Sequence, residues 1–366
     1  MIPVMRIGIP TEIKNNEFRI AVTPAGAAEM VAHGHEVVVQ SGAGTGSGFP
    51  DDDYVRAGAG LGDVDDAWSA DLVLKVKEPI APEYLRLRAD QTLFTYLHLA
   101  ADRPLADALL SSGVTSVAYE TVQMPDRSLP LLAPMSEVAG RLSVQVGGYE
   151  LMKARGGRGV LLGGVPGTPK AKVVVIGAGV AGENAARMAL GMGADVTVLD
   201  ISLPRLRALD ATYDGALKTL RSSAFTIAAE LVDADLVIGS VLIPGASAPK
   251  LVTDEMVQAM QPGAVLVDIA IDQGGCFEHS RPTTHDAPTF AVHDTVYYCV
   301  ANMPGAVPRT STQALTNATL PYAIALADRG VDGAAERFPE LAPGITTRGG
   351  RLLSAAVGAA LDIPVG

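Results

Sequence analysis

A chain of 366 residues exceeds the roughly 250 to 300 residues at which one hydrophobic core stops growing, so two domains are expected. With 48% hydrophobic residues, 19% charged residues and 39 glycines, the composition is that of a compact, turn-rich globular protein and excludes a disordered chain or a coiled coil. The net charge of −12, with no basic stripe to offset it, argues against nucleic acid and anionic membranes as partners, and no uncharged apolar stretch approaches the ~18 residues of a bilayer span.

Cys276 and Cys299 supply neither a disulfide framework nor a paired metal-ligand spacing, so both are expected to be buried packing residues in a reducing compartment. The N-terminus, MIPVMRIGIPTE, carries Arg6 inside its apolar run and lacks a small-residue cleavage site. It reads as a first strand, not as an export signal, and the expected location is cytoplasmic.

From there, short β-branched runs at 6–10, 36–40, 72–76, 92–97 and 115–119 alternate with helix-length stretches, the pattern of a parallel sheet with helical crossovers. Between them, TPAGAAEMVAHGHE predicts a helix ending near Gly34, and SGAGTGSGFPDDD a glycine-rich loop. From Ser136, apolar positions Val138, Leu142, Val146, Tyr149 and Met152 recur every three or four residues and predict one long amphipathic helix, stopping at Arg155-Gly156-Gly157 and linking two domains. After the turn GGVPGTP a second alternation begins: strands at 172–176, 195–199, 235–240, 264–269 and 289–292, with a helix running to Met192. Beyond Val307 the pattern is helical with no further strand runs, so the tail is expected to pack back on the first domain.

The sharpest motif is Gly177-Ala178-Gly179-Val180-Ala181-Gly182, directly after the strand KVVVI and opening a helix, with Asp200 ending the next strand 18 residues beyond Gly182. Glycines there permit a tight turn, close approach of backbone to pyrophosphate and helix-on-strand contact, and the carboxylate suits an adenosine ribose while repelling a 2′-phosphate. NAD is therefore expected over NADP; the bland alternative is a glycine-rich turn of some other nucleotide fold. The expected fold class is α/β: two doubly wound parallel-sheet domains joined by a long helix. Residues 1–135 plus 308–366 are expected to form the substrate domain, and 136–307 the NAD-binding domain.

In open α/β sheets ligands lie beyond the carboxyl ends of the strands. LVLKVKEP places Lys75 and Lys77 at such an end, on one face by their spacing, where a cation can polarise a carbonyl or hold a carboxylate; taken alone, a strand-end lysine is more often simply solvated. TLFTYLH ends a strand on His98, a residue suited to proton exchange near neutral pH or simply to packing. Arg19 offers a planar fork for a carboxylate, although most loop arginines only face water. In VDIAIDQGG, Asp272 can accept or relay a proton, whereas Asp268 reads as structural.

These residues, in this order, resemble the alanine dehydrogenase family from Arg6 to about Pro321, through IGIPTEIKNNEFRIAVTPAG, LVLKVKEP, LFTYLHLA, YETVQ, LLAPMSEVAGRL, VVVIGAGVAG, VDIAIDQGGCFE, PTF and YYCVANMPGAVPRTST. The resemblance implies two Rossmann-type domains with cofactor and substrate in the cleft between them, and reversible NAD-dependent oxidative deamination of L-alanine to pyruvate and ammonia, usually by a homo-hexamer. It assigns Arg19 and Lys77 to the substrate carboxylate and carbonyl, His98 to acid/base catalysis and Asp272 to a second catalytic role. By the same comparison cofactor contacts come from Ser136, the glycine turn (Gly177, Gly179, Val180, Ala181, Gly182), Asp200, Arg205, Ser222, Val241 and Leu242. Ile269, Ala270, Ile271, Asp272, Arg281, Val300, Ala301, Asn302 and Met303 complete the set. The tail after Tyr322 matches less clearly, and no required metal is expected. Two alternatives stand: the nucleotide-binding subunit of a proton-translocating transhydrogenase, a family that lacks the histidine matching His98, and a saccharopine dehydrogenase-like enzyme, which substrate length discriminates. A purely NAD-binding regulatory module would have no use for the Arg19, Lys77, His98 and Asp272 set.

Overall fold

The computed structural model describes residues 4–241 and 248–366. The chain divides into two compact units, Met1–Met135 with Val307–Gly366, and Ser136–Ala306. Val307 thus groups with the tail.

In the first unit the strands are β1 (Arg6–Ile9), β2 (Glu36–Gln40), β3 (Gly60–Gly62), β4 (Leu72–Leu74), β5 (Thr92–Thr95) and β6 (Thr115–Ala118), with helices α1 (Pro24–Ala32), α2 (Asp51–Arg56), α3 (Val64–Trp68) and α4 (Arg103–Ser112) between them. All pair in parallel, in the order β6-β5-β4-β1-β2-β3. Their near-continuous buried runs, such as Leu72-Val73-Leu74, are those of a sheet covered on both faces. Strand order reverses between β1 and β4, which opens a crevice at their carboxyl ends. β4 and β5 stop earlier than the apolar runs suggest, so Lys75 and Lys77 follow the strand instead of sharing one of its faces. The stretch SGAGTGSGFPDDD is not all loop: Thr45–Ser47 makes a 3₁₀ turn, and Asp51, Asp52 and Asp53 form the first turn of α2, where carboxylates complement the helix dipole.

Helix α5 (Ala133–Glu150) carries the chain from one unit to the next. It begins before Ser136 and ends before Arg155: Met152 is extended, and a 3₁₀ turn over Lys153–Arg155 leads to Gly156 at φ 94°. The Gly159 N–H then folds back onto Leu151 O at 2.7 Å.

The second unit holds β7 (Lys172–Ile176), β8 (Asp195–Asp200), β9 (Lys218–Arg221), β10 (Leu236–Gly239), β11 (Val265–Asp268), β12 (Thr289–Val292) and β13 (Thr295–Tyr298), with α6 (Val180–Gly191), α7 (Leu203–Tyr213), α8 (Ala224–Leu231) and α9 (Asp254–Gln258). The order β9-β8-β7-β10-β11-β13-β12 is parallel throughout except for β12, the antiparallel outer arm of a hairpin with β13. Here the order reverses between β7 and β10. Val174, Ile176, Leu199, Val237, Leu266, Phe277 and Tyr297 are among the residues of one buried core. Cys276 and Cys299 belong to it as unpaired thiols.

The returning chain forms α10 (Pro308–Arg337), kinked at Gly330 (φ 67°, ψ 179°), and then departs from the helical expectation. β14 (Ile345–Arg348) pairs antiparallel with β6, and β15 (Arg351–Leu352) with β14, before α11 (Ala355–Leu361). The two-residue turn between them is Gly349-Gly350, with φ 56° and 77°, the left-handed pair that a tight hairpin requires. That glycine pair was the available signal. Among the described residues no helix is long and apolar enough to cross a membrane.

Candidate active site and dinucleotide site

The glycine turn sits at the strand-order reversal of the second sheet, between β7 and α6. Its three glycines meet three different demands. Gly177 has φ 103°, and a Cβ there would lie 2.9 Å from Ser240 O. A Cβ on Gly182 would lie 1.8 Å from Gly177 O, so only glycine lets α6 close onto the turn. Gly179 is exposed, and a Cβ there would meet nothing within 4 Å. The first two are required by packing; the third keeps space open above the turn. No side chain caps α6, so its first N–H groups are available to an anion.

Asp200 ends β8 beside the turn, its Oδ2 accepting from the Ala178 N–H at 2.6 Å and its Oδ1 from the Ser202 N–H at 2.7 Å. Arg205, in α7, donates through Nε to Ala178 O at 2.6 Å and pairs with Glu183 in the first turn of α6. Ser222 follows β9 with its N–H on Asp200 O at 2.9 Å. Half-buried Val241 follows β10, while Leu242 lies outside the described residues. Ser136 is half-buried near the start of α5. Ile269, Ala270, Ile271 and exposed Asp272 form a short helical turn after β11, anchored by Asp268. The buried Asp268 carboxylate accepts from the N–H groups of Ala270 (3.0 Å), Cys276 (2.8 Å) and Phe277 (3.3 Å) and from Ser280 Oγ, which accounts for it as a structural residue. Arg281 lies over the Phe290 ring at 4.3 Å, and Val300 bridges to Thr283. Beyond it, Ala301 and Asn302 are half-buried and Met303 is buried.

In the first unit, Arg19, Lys77 and His98 come from the segments after β1, β4 and β5, at or beside the reversal of that sheet. Arg19 is buried, and Glu17 grips its fork from both sides, Nε to Oε1 at 2.6 Å and Nη2 to Oε2 at 2.5 Å. Burial by itself lowers the guanidinium pKa, but the Glu17 carboxylate outweighs it and the net direction is upward. The two lysines part company. Lys75 is 1% exposed and bonded to Glu12 (3.1 Å) and Glu83 (2.8 Å), so its ammonium is a closed structural ion group. Lys77 is half-exposed, its backbone N–H on Glu12 Oε2 at 3.3 Å and its carbonyl accepting from Thr95 Oγ1 at 3.0 Å. Glu78 lies within electrostatic reach of Lys77, Lys14 and His98, which together hold its carboxyl below the usual range against the upward pull of burial.

His98 is exposed at φ 47°, a left-handed conformation costing roughly 1 to 2 kcal/mol for a non-glycine residue. Two contacts hold it there. Glu120, just past β6, accepts from the His98 N–H at 2.6 Å and the Leu97 N–H at 3.1 Å, and the imidazole stacks 5.8 Å from the Tyr96 ring. Tyr96 in turn donates to Leu131 O at 2.6 Å. A hollow of about 430 Å³ is walled in part by Arg19 with Glu12, Lys14 and Glu17, and neither Lys77 nor His98 lines it. Glu12, Glu17, Glu120 and Ser240, whose Oγ holds Ile176 O and Gly177 O at 3.0 Å, were not singled out from the sequence. Their partners lie up to 65 residues away, although within the family resemblance IGIPTEIKNNEFRIAVTPAG takes in Glu12 and Glu17 and YETVQ takes in Glu120. A cation, a gripped guanidinium and an imidazole at one sheet reversal can bind a carboxylate, polarise a carbonyl and move a proton.

Family models match across the chain: alanine dehydrogenase/PNT, N-terminal domain, over residues 8–139, and alanine dehydrogenase/PNT, C-terminal domain, over residues 143–355. An alanine dehydrogenase of Mycolicibacterium smegmatis is 63% identical over 362 residues, 98% of either chain. Among solved structures, an L-alanine dehydrogenase superposes with TM-score 0.95 at 50% identity, covering 98% of this chain and all of the other. A transhydrogenase from Sinorhizobium meliloti superposes with TM-score 0.82 at 28% identity, over 96% of this chain and 99% of the other. With both family domains matched along the chain and that degree of identity over its length, the protein belongs to the alanine dehydrogenase/PNT family.

Proposed function

We propose that the protein is an oxidoreductase that interconverts L-alanine with pyruvate and ammonia, using NAD. The observation that carries this reading is the gathering of Arg19, Lys77 and His98 at the reversal of the first sheet, in a chain whose second sheet bears an open glycine turn at its own reversal. The names of its relatives support the same reading.

The residues present fit a dinucleotide. The open space over Gly179 and the uncapped start of α6 suit a pyrophosphate, and the Asp200 carboxylate beside them suits a ribose hydroxyl and disfavours a 2′-phosphate. When bound, the nicotinamide exchanges the hydride. Arg19, its fork oriented by Glu17, binds the substrate carboxylate. Lys77 places a cation at the substrate oxygen, where charge changes during reaction. His98 and Asp272 move protons as water adds to the substrate imine and ammonia departs. Of the remaining positions proposed for the cofactor, Ser136 lies near the start of α5, Arg205 flanks the turn, and the others follow β9, β10, β11 and β13 in sequence. We further propose a cytoplasmic homo-hexamer, which light scattering of the purified protein tests.

The deciding experiment follows NAD⁺ reduction spectroscopically with alanine, serine, glycine, glutamate and saccharopine. Reduction driven chiefly by L-alanine is expected; saccharopine-driven reduction, or none with any of the five, overturns the proposal. Asp200→Gly should raise NADP⁺ use relative to NAD⁺, and equal use of the two by the unaltered enzyme contradicts the role given to Asp200.

A further inference from the structure

Three donor groups on separate segments of the second unit converge at its surface: Asp254 opening α9, His279 between β11 and β12, and His293 in the hairpin turn between β12 and β13. Both imidazoles aim Nε2 at the same oxygen, Asp254 Oδ1, each at 2.6 Å, with their rings 6.2 Å apart and nearly perpendicular. The three ligand atoms lie within 4.8 Å of one another. We propose that Asp254, His279 and His293 form a site for a divalent transition-metal ion of the zinc class.

The donor set decides the class of ion. Two imidazole nitrogens and a carboxylate suit zinc and its neighbours, whereas magnesium and calcium take oxygen ligands. Metal–ligand distances of about 2.0 to 2.2 Å place tetrahedral ligand atoms roughly 3.3 Å apart, so each imidazole has to withdraw from Asp254 Oδ1, now at 2.6 Å, while the two imidazole nitrogens, within 4.8 Å of each other, settle to the same spacing. Side chains 34% to 40% exposed, on three surface segments, can supply that movement and leave an entry path and a position for water. The carboxylate is already oriented: Asp254 Oδ2 accepts from Gln258 Nε2 at 2.6 Å, and the Asp254 N–H is held by Glu278 Oε2 at 2.7 Å. Glu278 also adds a second negative charge beside two imidazoles, a balance that favours a divalent cation. The turn by itself does not call for histidine, since His293 has φ 48°, where asparagine and glycine are the favoured residues. A second histidine–aspartate group differs. At Asp328 the contacts are spread over both oxygens, His33 Nδ1 lying 3.1 Å from Oδ2 and 3.4 Å from Oδ1 and His35 Nε2 2.9 Å from Oδ1, and the His35 side chain is wholly buried with Nδ1 accepting from the Met5 N–H.

An ion here would tie α9, residues 277–281 and the β12–β13 hairpin together. The inference is independent of the enzymatic proposal, because its readout is metal binding. Tag-free, chelator-stripped full-length protein is titrated with Zn²⁺ against a chromophoric chelator, and with Co²⁺ while its visible absorption is recorded. One Zn²⁺ per chain and a Co²⁺ band of tetrahedral type are expected. His279→Gln with His293→Asn, the latter keeping a residue at ease with positive φ, should weaken Zn²⁺ by at least about 10- to 100-fold, the range seen even for outer-shell losses. Asp254→Asn should weaken it as well, while His33→Gln leaves it unchanged. Unchanged metal-free melting temperatures show that these surface variants fold. Zn²⁺ affinity unaltered in the double histidine variant, or no stoichiometric binding by the unaltered protein, overturns the site.

Discussion

Adding one methyl group at each of two glycines of the same turn should separate packing from cofactor binding. In Gly182→Ala the new Cβ would stand 1.8 Å from Gly177 O and 2.7 Å from Ser240 Oγ, so the turn backbone must shift and the Ser240 hydroxyl must move aside. Overpacking typically costs about 1 to 3 kcal/mol, and a clash with backbone belongs at the upper end, which for a domain of this size lowers the melting temperature by roughly 6 to 12 °C. In Gly179→Ala the methyl meets nothing within 4 Å, at a φ of −68° that alanine adopts freely. Folding should then be unharmed or improved by about 0.4 to 1 kcal/mol through the less flexible unfolded chain. The same methyl projects into the space proposed for the pyrophosphate, so NADH affinity should fall by about 10- to 100-fold, roughly 1.4 to 2.8 kcal/mol. Calorimetric melting and NADH fluorescence titration on both variants make the test. A Gly179→Ala protein that melts as early as Gly182→Ala, or binds NADH with unaltered affinity, refutes the division of roles.

Glu120→Ala deprives His98 and Leu97 of their N–H acceptor, so turnover should drop by on the order of 10-fold or more with NADH affinity unchanged, and Glu120→Gln, which keeps an acceptor oxygen, should recover part of it. Equal loss in both variants would argue against a positioning role. Burial pushes the Cys276 thiol well above 9.0 and the Cys299 thiol up to about 12, so neither should react with a disulfide reagent in the folded protein at pH 8, while both react in denaturant. Glu78 is held below its ordinary 4.5, so its stabilising contribution is complete above about pH 4.5 and is lost as pH falls further. Urea midpoints at pH 6 and pH 4 should therefore differ less in Glu78→Gln than in the unaltered protein; equal differences would remove Glu78 from the account. Arg19→Met should raise the pyruvate KM by about 10- to 100-fold and also destabilise the fold, since buried Glu17 loses its ion pair with Arg19, whereas Arg19→Lys should recover only part of both.

The two doubly wound sheets and the glycine turn were legible in the sequence because their signals are local. Apolar runs of strand length between helix-length segments specify parallel strands with crossovers, and a GxGxxG directly after such a run has one context that accommodates all its glycines. The tail hairpin carried a local signal too, Gly349-Gly350, but its strands are only four and two residues long, too short to show alternation. What separates Lys75 from Lys77 is not local. Two residues apart in LVLKVKEP they are chemically equal, and only the fold brings Glu12, 63 residues away, and Glu83 onto the first and leaves the second half-exposed. Glu120 on the backbone of His98, Ser240 on the glycine turn, and Asp254 between two histidines 25 and 39 residues distant are likewise products of tertiary structure. A charged or polar side chain acquires its role from the partners that burial and orientation impose, and those partners come from strands and loops that sequence periodicity does not place side by side.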